Sequence, residues 1–353
     1  MTRSSRSGTG CRALPWVFGM LLGWLPAHGA LAQQIRPWTE TVVSVRDIPA
    51  TARLFVEVGG WRRTHHGTVD RRELDYWRLP AAATAEFARY CAPGVDTGCL
   101  RLVRFAGVAQ RPVRLATRAW DTGGIFSVMV RSDDVGALFT DAIARGWWAE
   151  SEPVEFTWGS SVLRNVVLTG PHGIHLAAYE RVAPPFTAFP VGRISQAFNS
   201  MRMVRSRPVA RDFYTKVLGF EVVFDGAREA PAPTRSNFGI PFNLTPEVKR
   251  AAAALQPVPG ETGRVEMMQL EGFRGTDVSM HASPPNLGIL TVRYPVDDLA
   301  ALRRRLAAHG IEPVYAAAAV AVPPLGQVDL LAIRDPDGNL TEFYAATVPE
   351  ASP

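Results

Sequence analysis

The sequence has few of the residues on which most recognisable catalytic motifs depend. It contains three cysteines and seven histidines in 353 residues. No Cys-x-x-Cys pair, phosphate-binding glycine loop, dinucleotide-binding fingerprint or Ser-His-Asp order occurs in it. No motif therefore assigns the chain to the thiol-redox, nucleotide-dependent or serine-hydrolase classes.

Long hydrophobic runs are also missing, apart from one near the N-terminus. Three arginines precede an apolar stretch over 13–25, and Ala30-Leu31-Ala32 then matches the small-x-small pattern of signal peptidase. The stretch is short for a membrane span. The sequence therefore predicts a signal peptide over 1–32 with cleavage after Ala32, no membrane insertion after that cleavage, and a periplasmic or secreted protein.

Clustered basic charge is a third feature that the chain lacks. The 38 lysines and arginines stand against 33 acidic residues, and Arg3, Arg6 and Arg12 lie within the predicted signal peptide. The mature chain would keep 35 basic residues, which is a net charge of about +2. Because nucleic-acid binding needs clustered basic charge, we expect no nucleic-acid partner.

Two cysteines would remain in the mature chain, Cys91 and Cys99, on either side of a short loop. An exported protein folds in an oxidising compartment, where such a pair tends to form a disulfide. We expect a structural crosslink between Cys91 and Cys99, with two free thiols as the alternative.

What the sequence does contain is a fourfold spacing pattern. Four residues that can cap a helix, Asp47, Asp133, Ser206 and Asp297, are each followed thirteen residues later by a glycine. A side-chain oxygen satisfies free amides at a helix N-terminus, and glycine readily takes the αL conformation that ends a helix. β-like segments precede and follow each interval. The pattern predicts an α+β fold of four βαβββ units.

We expect these units to form two halves, 33–183 and 193–348, joined by a proline-containing linker over 184–192. A sheet covered by helices on one face leaves its other face concave, and such faces make cups that bind small molecules. The predicted partner is therefore a small organic molecule, and the predicted assembly is a monomer or a homodimer.

Two motifs in the C-terminal half carry a family resemblance. Residues 335–339 read Asp-Pro-Asp-Gly-Asn, a tight turn, and the alternating strand after them places Glu342 on an otherwise apolar face. Residues 213–220 read Phe-Tyr-Thr-Lys-Val-Leu-Gly-Phe. Together with the βαβββ units, these motifs resemble the vicinal oxygen chelate superfamily, which contains glyoxalases, bleomycin resistance proteins and extradiol dioxygenases. The resemblance covers nearly the whole mature chain and implies cupped mixed sheets.

The resemblance also implies where a metal would lie. Members hold it with residues on the first strand of each unit and a glutamate on the last strand. In the C-terminal half these positions and a middle-strand position match Asn199, Thr291, Glu266 and Glu342, with no histidine among them. An all-oxygen set suits Mg²⁺, Mn²⁺ or Ca²⁺ better than Fe or Zn. We expect Glu342 and Glu266 to be catalytic, and to bind a divalent metal together with Asn199.

Two alternatives remain open for this set. One is a cup that holds no metal. The other is a pairing of Glu342 with an arginine such as Arg202 or Arg293, because a buried carboxylate is costly without a partner.

Three further side chains are candidates for ligand contact, besides Asn199 and Thr291. His175 lies on a strand face that points towards the N-terminal cup, and a structural histidine is the alternative. Phe238 and Phe242 lie in an insertion over 230–260, whose length indicates a cover over a site.

The sequence thus predicts an exported, glyoxalase-like protein that binds a small organic ligand in a sheet-lined cup. If it is an enzyme, the expected class is a metal-assisted lyase or isomerase that moves a proton next to a carbonyl group. The missing histidines argue against an extradiol dioxygenase. The alternatives are a metal-free binding or sequestering protein, as in the bleomycin resistance relatives, and an accessory protein whose cups are filled with side chains.

Overall fold

The computed structural model describes residues 35–347, so the predicted signal peptide over 1–32 lies outside the described part. The helices are α1 Ile48–Glu57, α2 Arg71–Tyr76, α3 Val135–Ile143, α4 Arg207–Asp212 and α5 Leu299–Ala308. The strands are β1 Glu40–Ser44, β2 Arg62–Thr68, β3 Thr84–Cys91, β4 Cys99–Ala106, β5 Ser127–Arg131, β6 Trp148–Ala149, β7 Val154–Trp158, β8 Ser161–Thr169, β9 His175–Ala183, β10 Asn199–Met203, β11 Glu221–Arg228, β12 Arg250–Gln256, β13 Arg264–Leu270, β14 Gly288–Pro295, β15 Tyr315–Val322, β16 Gly326–Arg334 and β17 Leu340–Ala346.

The strands form two mixed sheets, which confirms the predicted α+β class. Sheet A has the order β15-β16-β17-β14-β1-β4-β3-β2, and sheet B has the order β11-β12-β13-β10-β5-β9-β8-β6, with β7 paired to β8. Sheet A therefore combines strands from the two ends of the chain, and sheet B combines strands from its middle. Each sheet draws strands from both sides of the predicted linker over 184–192.

Aspartates begin three of the helices through the expected capping bond. The carboxylate of the N-cap residue accepts a hydrogen bond from the amide three residues later in α1, α3 and α5, at Asp47, Asp134 and Asp298. The last two lie one residue beyond the predicted Asp133 and Asp297, because the second aspartate of each Asp-Asp pair takes the extended backbone that precedes a helix. The predicted cap Ser206 precedes α4 without a side-chain capping bond.

The buried core has one large cluster and two smaller ones. The large cluster joins α1, α3, α4 and α5 to the strands of both sheets and includes Trp38, Phe55 and Tyr214. A second cluster packs around α2 with side chains of sheet A, and a third lies with side chains of sheet B. We call the region of the second cluster cup A and the region of the third cluster cup B.

The predicted crosslink is present. Cys91 at the end of β3 is bonded to Cys99 at the start of β4. Both cysteine side chains are buried, and the disulfide closes the loop between these two neighbouring strands of sheet A. Between residues 35 and 347, no helix has both the length and the apolar character needed to cross a membrane.

Candidate functional site

Cup A contains a buried ion-pair network centred on Arg293 of β14. Each of its three guanidinium nitrogens donates to a different glutamate: Nε to Glu342 at 2.7 Å, Nη1 to Glu40 at 3.1 Å and Nη2 to Glu73 at 2.6 Å. None of these four side chains is exposed. Burial lowers the pKa of Arg293, but attraction to Glu342, Glu73 and Glu40 outweighs it and raises that pKa well above its ordinary range. The arginine is therefore a permanent internal cation.

Strand pairing brings these groups together. Arg293 lies opposite Glu40 of β1 on one side and opposite Glu342 of β17 on the other. Glu73 comes from the short helix α2, and Trp77 directly after that helix donates its indole N–H to Glu342 at 2.8 Å. Helix α2 thus fills cup A and supplies part of its polar network.

Two more arginines complete the network and balance its charge. Arg89 donates to Glu40 at 3.0 Å, and Arg101 donates to Glu73 at 3.3 Å while its guanidinium lies 3.8 Å from the ring centre of Phe87. Three guanidinium groups therefore face three carboxylates. Buried ions are tolerated only when they are paired in this way.

This arrangement decides between the two interpretations of Glu342. Both of its carboxylate oxygens accept hydrogen bonds, from Arg293 and Trp77, so the pairing with an arginine is the one that forms. Arg202, the other predicted partner, lies 3.5 Å from Asp335 instead. The carboxylate oxygens at the centre of cup A already accept hydrogen bonds from the Arg293 guanidinium. Because a cation of the protein occupies their centre, this set of oxygens does not fit a metal ion.

Cup B, in contrast, holds an open cavity of about 210 Å³. Its walls combine aromatic and thioether side chains with six arginines; the aromatic and thioether group includes Phe156, Trp158, Phe224, Phe238, Met129 and Met268. The rings of Trp158 and Phe224 lie 4.0 Å apart between centres. The aromatic part of the wall favours a flat, apolar ligand body, and the polar groups fix its orientation.

Glu266 of β13 is the buried carboxyl group of this cavity. It is 9% exposed, and it accepts a hydrogen bond of 3.3 Å from the Asn199 amide. Burial raises the pKa of Glu266 to about 7, against the opposing effect of the Asn199 hydrogen bond. Ala254 lies opposite it on β12, and this small side chain leaves space beside the carboxyl group. A carboxyl group with this pKa can both give and take a proton near neutral pH.

Tyr179 of β9 also lines the cavity. Burial, and then the nearby charge of Glu266, raises the pKa of Tyr179 well above its ordinary value. The phenol therefore stays protonated at neutral pH and can donate a hydrogen bond to a ligand.

The surroundings of Glu266 do not fit the divalent metal that the resemblance implies. Asn199 uses its side-chain oxygen to accept from the Ser200 amide at 2.8 Å, so that its NH₂ group faces Glu266. Met129 lies opposite Asn199, and Ala177 lies opposite Met129 on the next strand. A thioether and a methyl group are poor ligands for Mg²⁺, Mn²⁺ or Ca²⁺. Within the described residues, no group of three or more His, Cys, Asp or Glu side chains is placed to hold a metal.

Comparisons with known proteins relate part of the chain to one superfamily. Residues 200–343 match the family model of the Glyoxalase/Bleomycin resistance protein/Dioxygenase superfamily. This match covers less than half of the chain and lies in its C-terminal half. No curated protein sequence matches the chain.

Solved structures extend the likeness beyond the C-terminal half. Glyoxalase I from Zea mays is 16% identical, with a TM-score of 0.58 over 89% of this chain and 93% of that one. A putative dioxygenase from Bacillus subtilis subsp. subtilis str. 168 is 12% identical, with a TM-score of 0.53 over 89% of this chain and 86% of that one. At these identities, the likeness shows that the fold is shared.

The four metal-site residues predicted from the sequence are divided between the two cups. Asn199 and Glu266 lie together in cup B, whereas Thr291 and Glu342 belong to sheet A. The predicted shared site is therefore not formed. The reason is that β14 pairs with β17 and β1, whereas β10 and β13 lie in the other sheet. The Thr291 hydroxyl is buried and bonds to the backbone of Val292.

His175 and Phe242 lie outside the cavity as well. His175 stacks on Phe126 with 4.5 Å between ring centres and places Nδ1 3.1 Å from the carbonyl of Phe126. Burial, and then the charge of Arg114, lowers the pKa of His175 to about 3, so the ring is neutral at physiological pH. Phe242 is 59% exposed on a surface 3₁₀ turn.

Phe238 is the predicted aromatic contact that the structure places in the cavity wall. The insertion that contains it is a shorter cover than the sequence indicated, because residues 250–256 form strand β12 of sheet B. Consecutive alanines in this strand hide the alternation by which a strand is usually recognised.

Sequence reasoning missed, among others, Tyr179 and four of the six arginines of the cavity, Arg131, Arg181, Arg228 and Arg250. These residues come from four different strands, and no local motif connects them. A weak signal was available at Arg250, which is followed by four alanines and so carries a charge at the start of an otherwise small and apolar strand.

Proposed function

We propose that cup B binds a small organic molecule and that Glu266 transfers a proton to or from it. The observation that carries this proposal is a buried carboxyl group beside a 210 Å³ cavity, with a pKa of about 7. Burial that tunes a carboxyl group to neutral pH is typical of general acids and bases.

Proton transfer at a carbon next to a carbonyl group suits this arrangement, as in a lyase or an isomerase. The Glu266 carboxylate takes the proton, the electrons of the C–H bond pass to the carbonyl oxygen, and an enolate forms. Tyr179 is positioned in the same cavity as a neutral O–H donor for that oxygen. Return of the proton to another atom completes an isomerisation, and expulsion of a neighbouring group completes an elimination.

Exchange of carbon-bound hydrogen tests this function. In D₂O, the purified chain should accelerate loss of the α-proton NMR signals of single-ring carbonyl compounds such as phenylpyruvate and phenylacetone. Because a general base contributes about 10²–10⁴-fold, we expect Glu266→Gln to lower this exchange rate at least about 100-fold and to change the affinity little.

Two controls define the result. Glu155→Gln removes a carboxylate from the same cavity lining, but this residue is half exposed and paired with Arg164, so the exchange rate should stay near that of wild type. Equal exchange rates for wild type and Glu266→Gln would refute the role of Glu266.

Non-catalytic binding is a second candidate, favoured by the absence of metal-ligating neighbours at Met129 and Ala177. A binding protein of this kind would bind the two compounds with similar affinity in wild type and Glu266→Gln, and neither form would exchange their protons.

We further propose that the protein is exported and that residues 1–32 are removed. The basic and apolar pattern of those residues supports export, as does the disulfide between Cys91 and Cys99. The intact mass of the protein from a periplasmic fraction should correspond to a chain that begins at Gln33 and carries one disulfide. An uncleaved mass in the cytosolic fraction alone would contradict export.

A further inference from the structure

We propose that the ligand of cup B is an organic anion whose carboxylate or phosphate group is bound by Arg228 and Arg250, here called the arginine pair. This inference rests on the proposed function, because it names the chemistry of the ligand in the same cavity.

The first argument is the position of the arginine pair. Arg228 of β11 lies directly opposite Arg250 of β12 in the antiparallel ladder, and both side chains line the cavity. Like charges directly opposite each other destabilise a sheet. Burial lowers the pKa of both arginines, and the charge of Arg228 lowers the pKa of Arg250 further. No acidic side chain of the described residues raises either pKa again. An anion between them would relieve this repulsion.

The second argument is unsatisfied hydrogen bonding. Nε and Nη2 of Arg250 are buried and have no hydrogen-bond partner within the described part of the chain. Arg228 reaches only the carbonyl of Thr157 at 3.5 Å and lies 4.9 Å from the ring centre of Phe156. A buried donor without an acceptor is costly. Carboxylate and phosphate groups offer the two adjacent oxygens that match a guanidinium.

The third argument is the contrast with other arginines of the same cavity. Arg131 and Arg264 both pair with Glu261, at 2.9 and 3.5 Å, and Arg235 pairs with Glu152 at 2.7 Å. These three arginines have an acidic partner in the protein. Arg181, the remaining arginine of the cavity, has none among the described residues and lies 5.3 Å from the ring centre of Phe186. The arginine pair has none among residues 35–347, so its partner is best supplied by the ligand.

The distance to Glu266 sets the form of the ligand. Ala254 pairs with Glu266, and Arg250 lies four residues away on the same strand, which is about 13 Å along the backbone. The long arginine side chains can shorten this gap. Phe224 pairs with Ala254 and so contributes an aromatic wall at the Glu266 end of the cavity. The ligand is therefore an aromatic organic acid with its reactive carbon at Glu266 and its anionic group at the arginine pair.

Binding of matched charged and neutral compounds tests this inference by calorimetry. Phenylacetate and phenylacetamide have nearly the same shape and differ in charge. Wild type should bind phenylacetate at least tenfold more tightly, and Arg250→Gln should remove that preference while leaving the affinity for phenylacetamide within about twofold. Phenyl phosphate in a parallel series distinguishes a phosphate ligand from a carboxylate ligand.

Arg235→Gln is the matched control. It removes the same charge from the cavity lining, at a side chain that is well exposed and already paired with Glu152. The preference for phenylacetate should persist in this variant. If Arg250→Gln does not fold, Arg228→Gln provides the same test at the other member of the arginine pair.

The outcomes separate the two proposals. Equal affinity of wild type for phenylacetate and phenylacetamide overturns the anion site and leaves the proposed function standing. Equal weakening of both compounds by Arg250→Gln also overturns it, because the arginine then only supports the wall. If wild type binds none of the three compounds, the proposed ligand cavity itself fails.

Discussion

Arg293→Met should destabilise the protein severely, by about 3–5 kcal/mol or more, which is the range for breaking a buried ion pair. The substitution removes the cation that contacts Glu40, Glu73 and Glu342. Arg89 and Arg101 then remain as cationic partners of Glu40 and Glu73, and Glu342 keeps only the hydrogen bond from Trp77. Urea unfolding followed by circular dichroism measures the effect. At the upper end of this range, the variant would not fold at room temperature.

Arg104→Met is the control for this experiment. Arg104 also lies in sheet A, on β4, but its pair with Glu86 is about half exposed. An exposed pair contributes at most about 1 kcal/mol, so this variant should remain close to wild type. If Arg293→Met were as stable as Arg104→Met, cup A would not depend on its central cation.

Glu266→Gln should stabilise the protein at pH 8 by about 3 kcal/mol and leave its stability at pH 4 unchanged. The pKa of Glu266 is about 7 in the folded chain, against an ordinary value of 4.5. Between these values the unfolded chain releases the proton while the folded chain keeps it, so wild type loses stability as the pH rises. Each pKa unit corresponds to about 1.4 kcal/mol. Glutamine stays neutral and removes this dependence.

Urea unfolding of wild type and Glu266→Gln at pH 4, 6 and 8 measures the difference. The two stability curves should meet near pH 4 and diverge up to about pH 7. Glu155→Gln, which changes a half-exposed carboxylate of the same cavity lining, should follow wild type throughout. Parallel curves for wild type and Glu266→Gln would show that burial does not hold the proton on Glu266. A gain in stability combined with loss of proton exchange would mark Glu266 as a residue kept for function at a cost in stability.

The features that the sequence predicted well depend on short-range interactions. The turn over 335–339 forms because the Asp335 carboxylate accepts from the amides of Asp337 and Asn339, both at 3.0 Å. Helix caps and the Cys91–Cys99 crosslink are local in the same sense. Because these contacts need only neighbouring residues, the motifs could be identified without knowing how the sheets assemble.

The candidate site could be predicted only in part. Glu266 and Asn199 were selected and lie together, and Phe238 was selected and lines the cavity. Glu342 was selected for the same site and instead pairs with Arg293 in the other sheet. Its turn and strand look the same in the sequence whether the carboxylate faces a metal or a guanidinium.

The sequence by itself determined the local elements and the motifs by which the C-terminal half resembles the Glyoxalase/Bleomycin resistance protein/Dioxygenase superfamily. Only the tertiary structure decided that β1 pairs with β14 and β10 with β5. That choice made cup A a closed ion-pair network and left Glu266 and the arginine pair in the open cavity of cup B. The physical reason is that strand pairing between distant segments depends on the packing of whole sheets, which the spacing of residues along the chain does not encode.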